Sequence, residues 1–278
     1  MILLRPVIIM IFLGVFFWNT PVAMAASETT QLPVPHIWEI PDGVWVKPWN
    51  GACEEASIIM VDKFYQGNPR AILNKAISKK LMNRLFPIED RLFGSNADTN
   101  ATRTQKLIND YSNFDAVIKR HPTLEEIQSE LEAGRPVISL HYGYDLNNPR
   151  HRFRRGGSSY HMMVLTGFDN VKKSFYVNDP ELSDGIDFPY NYDTIMASLR
   201  DFNHATHEAD GEPTVLFTEP KMFVRAENAK RVYLVREGVK YLVASPKALQ
   251  NHGWSLKNII TISREELARY ETGPAFDN

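Results

Sequence analysis

The chain has one cysteine, Cys53, in the run Trp49-Asn50-Gly51-Ala52-Cys53-Glu54-Glu55-Ala56-Ser57. With no disulfide partner in the chain, it can be a small buried hydrophobe, an intermolecular link or a nucleophile. A nucleophile needs a base beside the sulfur. His161 stands at the mouth of the apolar run Tyr160–Phe168, and Asp179 closes the next one, Ser174–Asn178, ahead of Pro180. The two residues lie at equal distances from Asn170, so an antiparallel hairpin is expected to bring them side by side at its open end. A carboxylate next to an imidazole fixes the ring's tautomer and stabilises its protonated form, which in turn favours a nearby thiolate. Thiol, imidazole and carboxylate together could attack an amide carbonyl. On the segment around Cys53 alone an inert core thiol and a nucleophile stand as equal readings, and the paired His161 and Asp179 add weight to the second.

The elements that must position them are legible from pattern and punctuation. Ala52, Ala56, Ile59, Met60 and Phe64 recur at helical spacing, and Gln66-Gly67-Asn68-Pro69 supplies the stop, so Cys53 falls in a helix's first turn. Unpaired amides and the positive end of the dipole favour a thiolate there, while Glu54 and Glu55 oppose it. Residues 69–95 pattern as an amphipathic helix pair. Thr123-Leu124-Glu125-Glu126 has capping-box spacing before Ile127 and Leu131, and a strand follows over 136–141. The predicted fold class is α+β, with a Cys-bearing helix packed on an antiparallel sheet that bears His and Asp.

Residues 219–230 read as a linker, which divides the chain into a main unit over 33–219 and a small α+β module over 228–275. The module patterns as a hairpin turning at Arg236-Glu237-Gly238, a helix capped by Ser245-Pro246 and stopped by Gly253, a strand over 259–262 and a second capped helix from Ser263. Its aromatics Tyr233, Tyr241 and Trp254 suit core packing better than a carbohydrate site.

Residues 1–25 resemble a cleavable export signal: Arg5, an apolar stretch from Val7 to Trp18, then Ala23-Met24-Ala25. That stretch is shorter than the roughly 20 residues a bilayer-spanning helix needs. A secreted or periplasmic location is therefore expected, with no stable membrane span after cleavage. The net charge of −2 argues against a nucleic-acid partner. Arg150, His151, Arg152, Arg154 and Arg155 form a basic run that reads as a solvated loop or, less readily, as a recognition element for a carboxylate. His204 and His207 lack further ligands, so they read as surface and no metal is expected.

Several blocks carry a family likeness: Val34-Pro35, Pro41-Asp42-Gly43-Val44-Trp45, Pro48-Trp49, Ala52–Ser57, Tyr160–Asp169, Asn178-Asp179-Pro180, Tyr190–Ala197 and Thr214–Phe217. Together they resemble the exported bacterial papain-like cysteine peptidases of the double-glycine-leader (C-thirty-nine) peptidase-like family, over about residues 33–219. The resemblance implies Cys53 as nucleophile, His161 as general base and acid, and Asp179 as the group that orients His161. It implies hydrolysis of peptide or amide bonds through a thioester acyl-enzyme, with no cofactor, on a peptide or protein substrate that could be cell-envelope material. Transglutaminase-type or peptidoglycan-amidase-type acyl transfer uses the same trio, and a weak or silent binding protein is the further alternative. One position departs from the family pattern. Relatives carry a glutamine whose side-chain amide helps hold the oxyanion, and Glu39 stands at the matching place, where a carboxylate would repel the charge it should stabilise.

Overall fold

The computed structural model describes residues 28–151, 159–256 and 259–276; the segment read as an export signal lies outside them. In chain order the elements are β1 (Thr29–Gln31), α1 (Cys53–Tyr65), α2 (Lys75–Phe93), α3 (Ala101–Tyr111), β2 (Phe114–Arg120), α4 (Leu124–Glu132), β3 (Val137–Tyr142), β4 (Tyr160–Asp169), β5 (Ser174–Asn178), β6 (Phe188–Asn191), α5 (Tyr192–Ser198) and β7 (Thr214–Pro220). They are followed by β8 (Met222–Ala226), β9 (Tyr233–Arg236), β10 (Val239–Leu242), α6 (Pro246–His252), β11 (Ile260–Ile262), α7 (Arg264–Arg269) and β12 (Glu271–Thr272). Among the described residues no helix is long and apolar enough to cross a membrane.

The fold is α+β and papain-like. Its main sheet is antiparallel throughout, in the order β2-β7-β3-β4-β5-β6, with β1 added on β4. The helix α1 lies between this sheet and α2, and its first ten residues, Cys53 to Asp62, are all buried. Because α1 is covered on every side, its carboxyls Glu54, Glu55 and Asp62 go inside with the apolar residues. Helical spacing locates the element but does not say that both faces are covered. Two polar ties fix it: Ser57 Oγ donates to Met162 O of β4 at 3.3 Å, and Asp62 Oδ1 accepts from Asn113 N and Nδ2 at 2.7 and 2.8 Å.

Residues 75–93 form one helix rather than a pair, with Pro87 inside it. Met82, Leu85, Phe86 and Glu89 keep a continuous buried face across the proline, and that packing offsets the lost backbone bond. The capping box of Thr123 and Glu126 forms as its spacing predicts. Along β4, all ten residues are buried, as expected for a central strand covered on both faces.

A second sheet, β11-β8-β9-β10-β12, begins at Met222, inside the stretch read as a linker. Only Lys221 separates β7 from β8. The patch Met222-Phe223-Val224 pairs with β9 and packs under Leu234 and Trp254, so Trp254 is core. The second sheet is bonded to the first unit: Lys221 Nζ and an Arg236 guanidinium nitrogen reach Asp115 Oδ1 at 3.0 and 2.7 Å, and His252 Nδ1 bonds Asp110 O at 2.7 Å.

Candidate active site

Cys53 is the first residue of α1 and is only 4 % exposed. The sulfur donates to Glu54 Oε2 at 3.0 Å, and Glu54 Oε1 accepts from Thr99 N at 2.8 Å. Burial pushes the Cys53 thiol well up, and the neighbouring Glu54 and Glu39 carboxyls add to it. The helix start therefore does not by itself make a thiolate: desolvation outweighs the amides and the dipole. The carboxyls around the sulfur are also displaced. Burial, followed by the charge of Asp98, raises Glu54 to about 8. Burial likewise raises Glu89 to about 7 and lifts Glu55 well above the carboxylate range, next to Glu89.

His161 and Asp179 do meet, with Nε2 of His161 at 2.9 Å from Asp179 Oδ1. The register that brings them together differs from simple hairpin symmetry. An irregularity between Leu165 and Gly167 shifts β4 against β5, so that Val164 pairs with Asn178. Continuing that register sets Asp179 across from Met163, two residues from His161 and on the same strand face. One His161 ring nitrogen, Cys53 Sγ and a Glu39 carboxyl oxygen all lie within 4.8 Å of one another.

Four further residues complete the setting of Asp179. His151 Nε2 and Tyr190 Oη each lie 2.7 Å from Oδ2, and Asn148 Nδ2 donates to Tyr190 Oη at 2.7 Å. Glu181 N donates to Oδ1 at 3.2 Å. Burial opposes the charge on Asp179, but the two imidazoles and their hydrogen bonds outweigh it and hold the carboxyl well below its usual range. Gly185 closes the loop: Asp179 N donates to Gly185 O at 2.9 Å, and a Cβ on Gly185 would collide with Asp179 O.

The same loop positions Glu39. Asn178 Nδ2 donates to Val34 O and Pro35 O at 3.1 and 3.2 Å, and His36 Nε2 bonds Asp179 O at 2.9 Å. Glu39 N donates to Pro180 O at 2.9 Å, and Trp38 Nε1 donates to Glu181 O at 3.2 Å. The segment 34–39 is thus stitched to 178–181, and Glu39 is delivered to the sulfur by the residues that place Asp179.

The basic run divides. Arg150 forms an ion pair with Asp184 on the surface, His151 turns inward to Asp179, and Arg152, Arg154 and Arg155 lie outside the described residues. Nothing in the sequence spacing separated His151 from its arginine neighbours. Tyr190 opened one of the family-like blocks, but its bond to Asp179 had no pattern of its own. His204 and His207, read as surface, line a cavity of about 640 Å³ with Asp98, Arg103, Tyr142, Tyr144 and Phe202. A second cavity of about 270 Å³, lined by Lys47, Asn50 and Gly51, shares Ser95, Ala97 and Asp98 with the first. Asp98 stands close to Gly51, so these hollows adjoin the start of α1. Among the described residues two donor groups have the spacing to hold a metal ion, Glu39 with Cys53 and His161, and His151 with His161 and Asp179; both draw on His161, whose Nε2 is already bonded to Asp179.

The chain belongs to the Peptidase_C39 like family. The family match covers residues 32–206, which holds Glu39, Cys53, His161 and Asp179 and ends before β7. A protein from Bacillus anthracis described as a C39-like peptidase, known from a crystal structure, is similar over 69 % of this chain and 98 % of its own, at 16 % identity and a TM-score of 0.43. No curated protein matches the chain. By family, then, the chain is a peptidase-like hydrolase.

Proposed function

We propose that this chain is a cysteine peptidase that hydrolyses peptide or amide bonds through Cys53, His161 and Asp179. The observation that carries the reading is the arrangement at the start of α1: Asp179 bonded to His161 Nε2 at 2.9 Å, and a ring nitrogen within 4.8 Å of Cys53 Sγ. His161 takes the thiol proton, the sulfur attacks the carbonyl carbon, and the imidazolium then protonates the leaving amine. Water next attacks the thioester with His161 as base and releases the acid. Asp179, charged and doubly bonded to imidazoles, stabilises the imidazolium that a raised thiol pKa would otherwise disfavour. The hollows beside Gly51 and Asp98 are the side-chain subsites of this reading. The main unit over 33–219 carries the chemistry, the module over 228–275 is accessory, and the protein works outside the cytoplasm on peptide or protein material.

A peptide library digested with the wild type, Cys53→Ala and His161→Ala and mapped by mass spectrometry tests the assignment. Cleavage is expected from the wild type alone. Equal cleavage by Cys53→Ala would remove the cysteine from the mechanism. Fractionation of the expressing cells, with sequencing of the mature N-terminus, checks the location; an intact residue 1–25 segment on a cytoplasmic protein would refute export.

A further inference from the structure

Glu39 is the group beside the reacting atoms that the mechanism above leaves without a task. It is enclosed, and one of its carboxyl oxygens lies within 4.8 Å of both Cys53 Sγ and a His161 nitrogen. Its buried Oε2 has no hydrogen-bond partner among the described residues. Leaving such an atom unpaired is costly, and that cost makes sense where the partner arrives with the substrate. The Glu39 amide on Pro180 O, with the His36 and Trp38 side chains on Asp179 O and Glu181 O, holds the residue there.

The groups facing Glu39 decide its chemical form. From the loop after β5 come Asp179 and Glu181, from α1 Glu54 and Cys53, from the segment before α3 Asp98, and from β4 His161. Four of the six are carboxyls, and none is a lysine or arginine. Burial, followed by the charges of Glu181 and Asp179, raises the Glu39 carboxyl well above the ordinary range. A carboxylate can only accept a hydrogen bond, whereas a carboxylic acid can donate one, and an enclosed acid kept neutral can serve as an oxyanion donor.

We propose that Glu39 is a catalytic residue that works as a neutral carboxylic acid, donating its O–H to the substrate carbonyl oxygen as negative charge develops there. This rests on the reading of Cys53 as the nucleophile. As the sulfur–carbon bond forms, the carbonyl π pair moves onto oxygen, and Glu39 hydrogen-bonds that oxygen while keeping its proton. The backbone N–H of Cys53, at a helix start where amides lack an intrahelical acceptor, is the second donor. Collapse restores the carbonyl, breaks the carbon–nitrogen bond and sends the His161 proton to the amine. The enzyme is thereby confined to pH values below the deprotonation of Glu39, and a glutamine at this position would be free of that limit.

The test separates steps that make an oxyanion from steps that do not. Acylation of Cys53 by p-nitrophenyl acetate passes through an oxyanion; alkylation by iodoacetamide is a displacement at carbon and forms none. The ratio of the two rates, corrected with Cys53→Ala for background, cancels the thiolate population at each pH. Between about pH 5 and about pH 10 the wild-type ratio is expected to fall as Glu39 loses its proton, and the Glu39→Gln ratio to stay flat. Glu39→Ala should lower the ratio about 10²- to 10³-fold at the acid end, the usual loss for one oxyanion donor. A flat wild-type ratio, which needs no variant, or an unchanged Glu39→Ala ratio overturns the proposal. Failure of the underlying reading looks different: iodoacetamide would then label Cys53 at equal rates in the wild type and His161→Ala.

Discussion

Replacing Glu54 by glutamine should change how stability depends on pH. The enclosed carboxyl accepts from Thr99 N and from the Cys53 thiol, and burial with Asp98 nearby moves it from 4.5 to about 8. Because the folded value lies above the unfolded one, folding takes up a proton between them. The stabilisation is complete below about pH 4.5 and is lost as pH rises through about 8. One proton corresponds to about 1.4 kcal/mol per pH unit, so the window spans at most about 5 kcal/mol, against a typical total stability of about 5–15 kcal/mol. Glutamine keeps the size and a carbonyl for Thr99 N–H but cannot ionise. Urea unfolding at about pH 5, 6.5 and 8 gives the stability difference between the two proteins. The wild type should lose stability more steeply toward alkaline pH, so that the difference moves in the variant's favour by about 1.4 kcal/mol per unit. Parallel curves would mean that Glu54 titrates alike in the folded and unfolded chain, and a neutral carboxyl beside Cys53 would be wrong.

Tyr190→Phe removes one of the donors to Asp179 Oδ2 and should cost roughly 1.5–3 kcal/mol near neutral pH by thermal or urea unfolding. Because Asp179 is held below its unfolded value of 3.8, its contribution is present above that pH and fades as pH falls through the folded value; Tyr190→Phe should move that acid loss to higher pH. Gly185→Ala forces a Cβ against Asp179 O, so peptide cleavage should drop while the circular dichroism spectrum stays folded; undiminished turnover would show that the loop yields without moving Asp179. Ile59→Ala, in the enclosed middle of α1, should destabilise by about 2–5 kcal/mol, and a change below 1 kcal/mol would contradict its burial. Thr123→Ala breaks the capping box of α4 and should cost about 1 kcal/mol, with cleavage unaffected.

Much of the frame was legible because local rules acted on short stretches. The helix start at Cys53, the capping box at Thr123, the strand that carries His161 and the one that ends just before Asp179 follow from spacing, caps and stops that lie close together in the chain. The linker reading failed at Met222-Phe223-Val224 because three apolar residues among charges carry no period, and only the partners Leu234 and Trp254 make them a strand. The helix pair failed at Pro87 for the opposite reason, since packing on both sides overrode a local breaker.

The sequence by itself determined which residues are chemically able: one thiol at a helix start, an imidazole at the mouth of one strand, a carboxylate just past the end of the next, and a glutamate at position 39. Tertiary structure decided their states. The irregularity at Leu165–Gly167 sets which residues face each other, and the covering of α1 on every side buries Glu54 and Glu55 with Cys53. The loop after β5 gathers His151, Tyr190 and Glu39 around the pair. Desolvation and the field of distant charges depend on what the whole chain places around an atom, and no neighbour in sequence reports them.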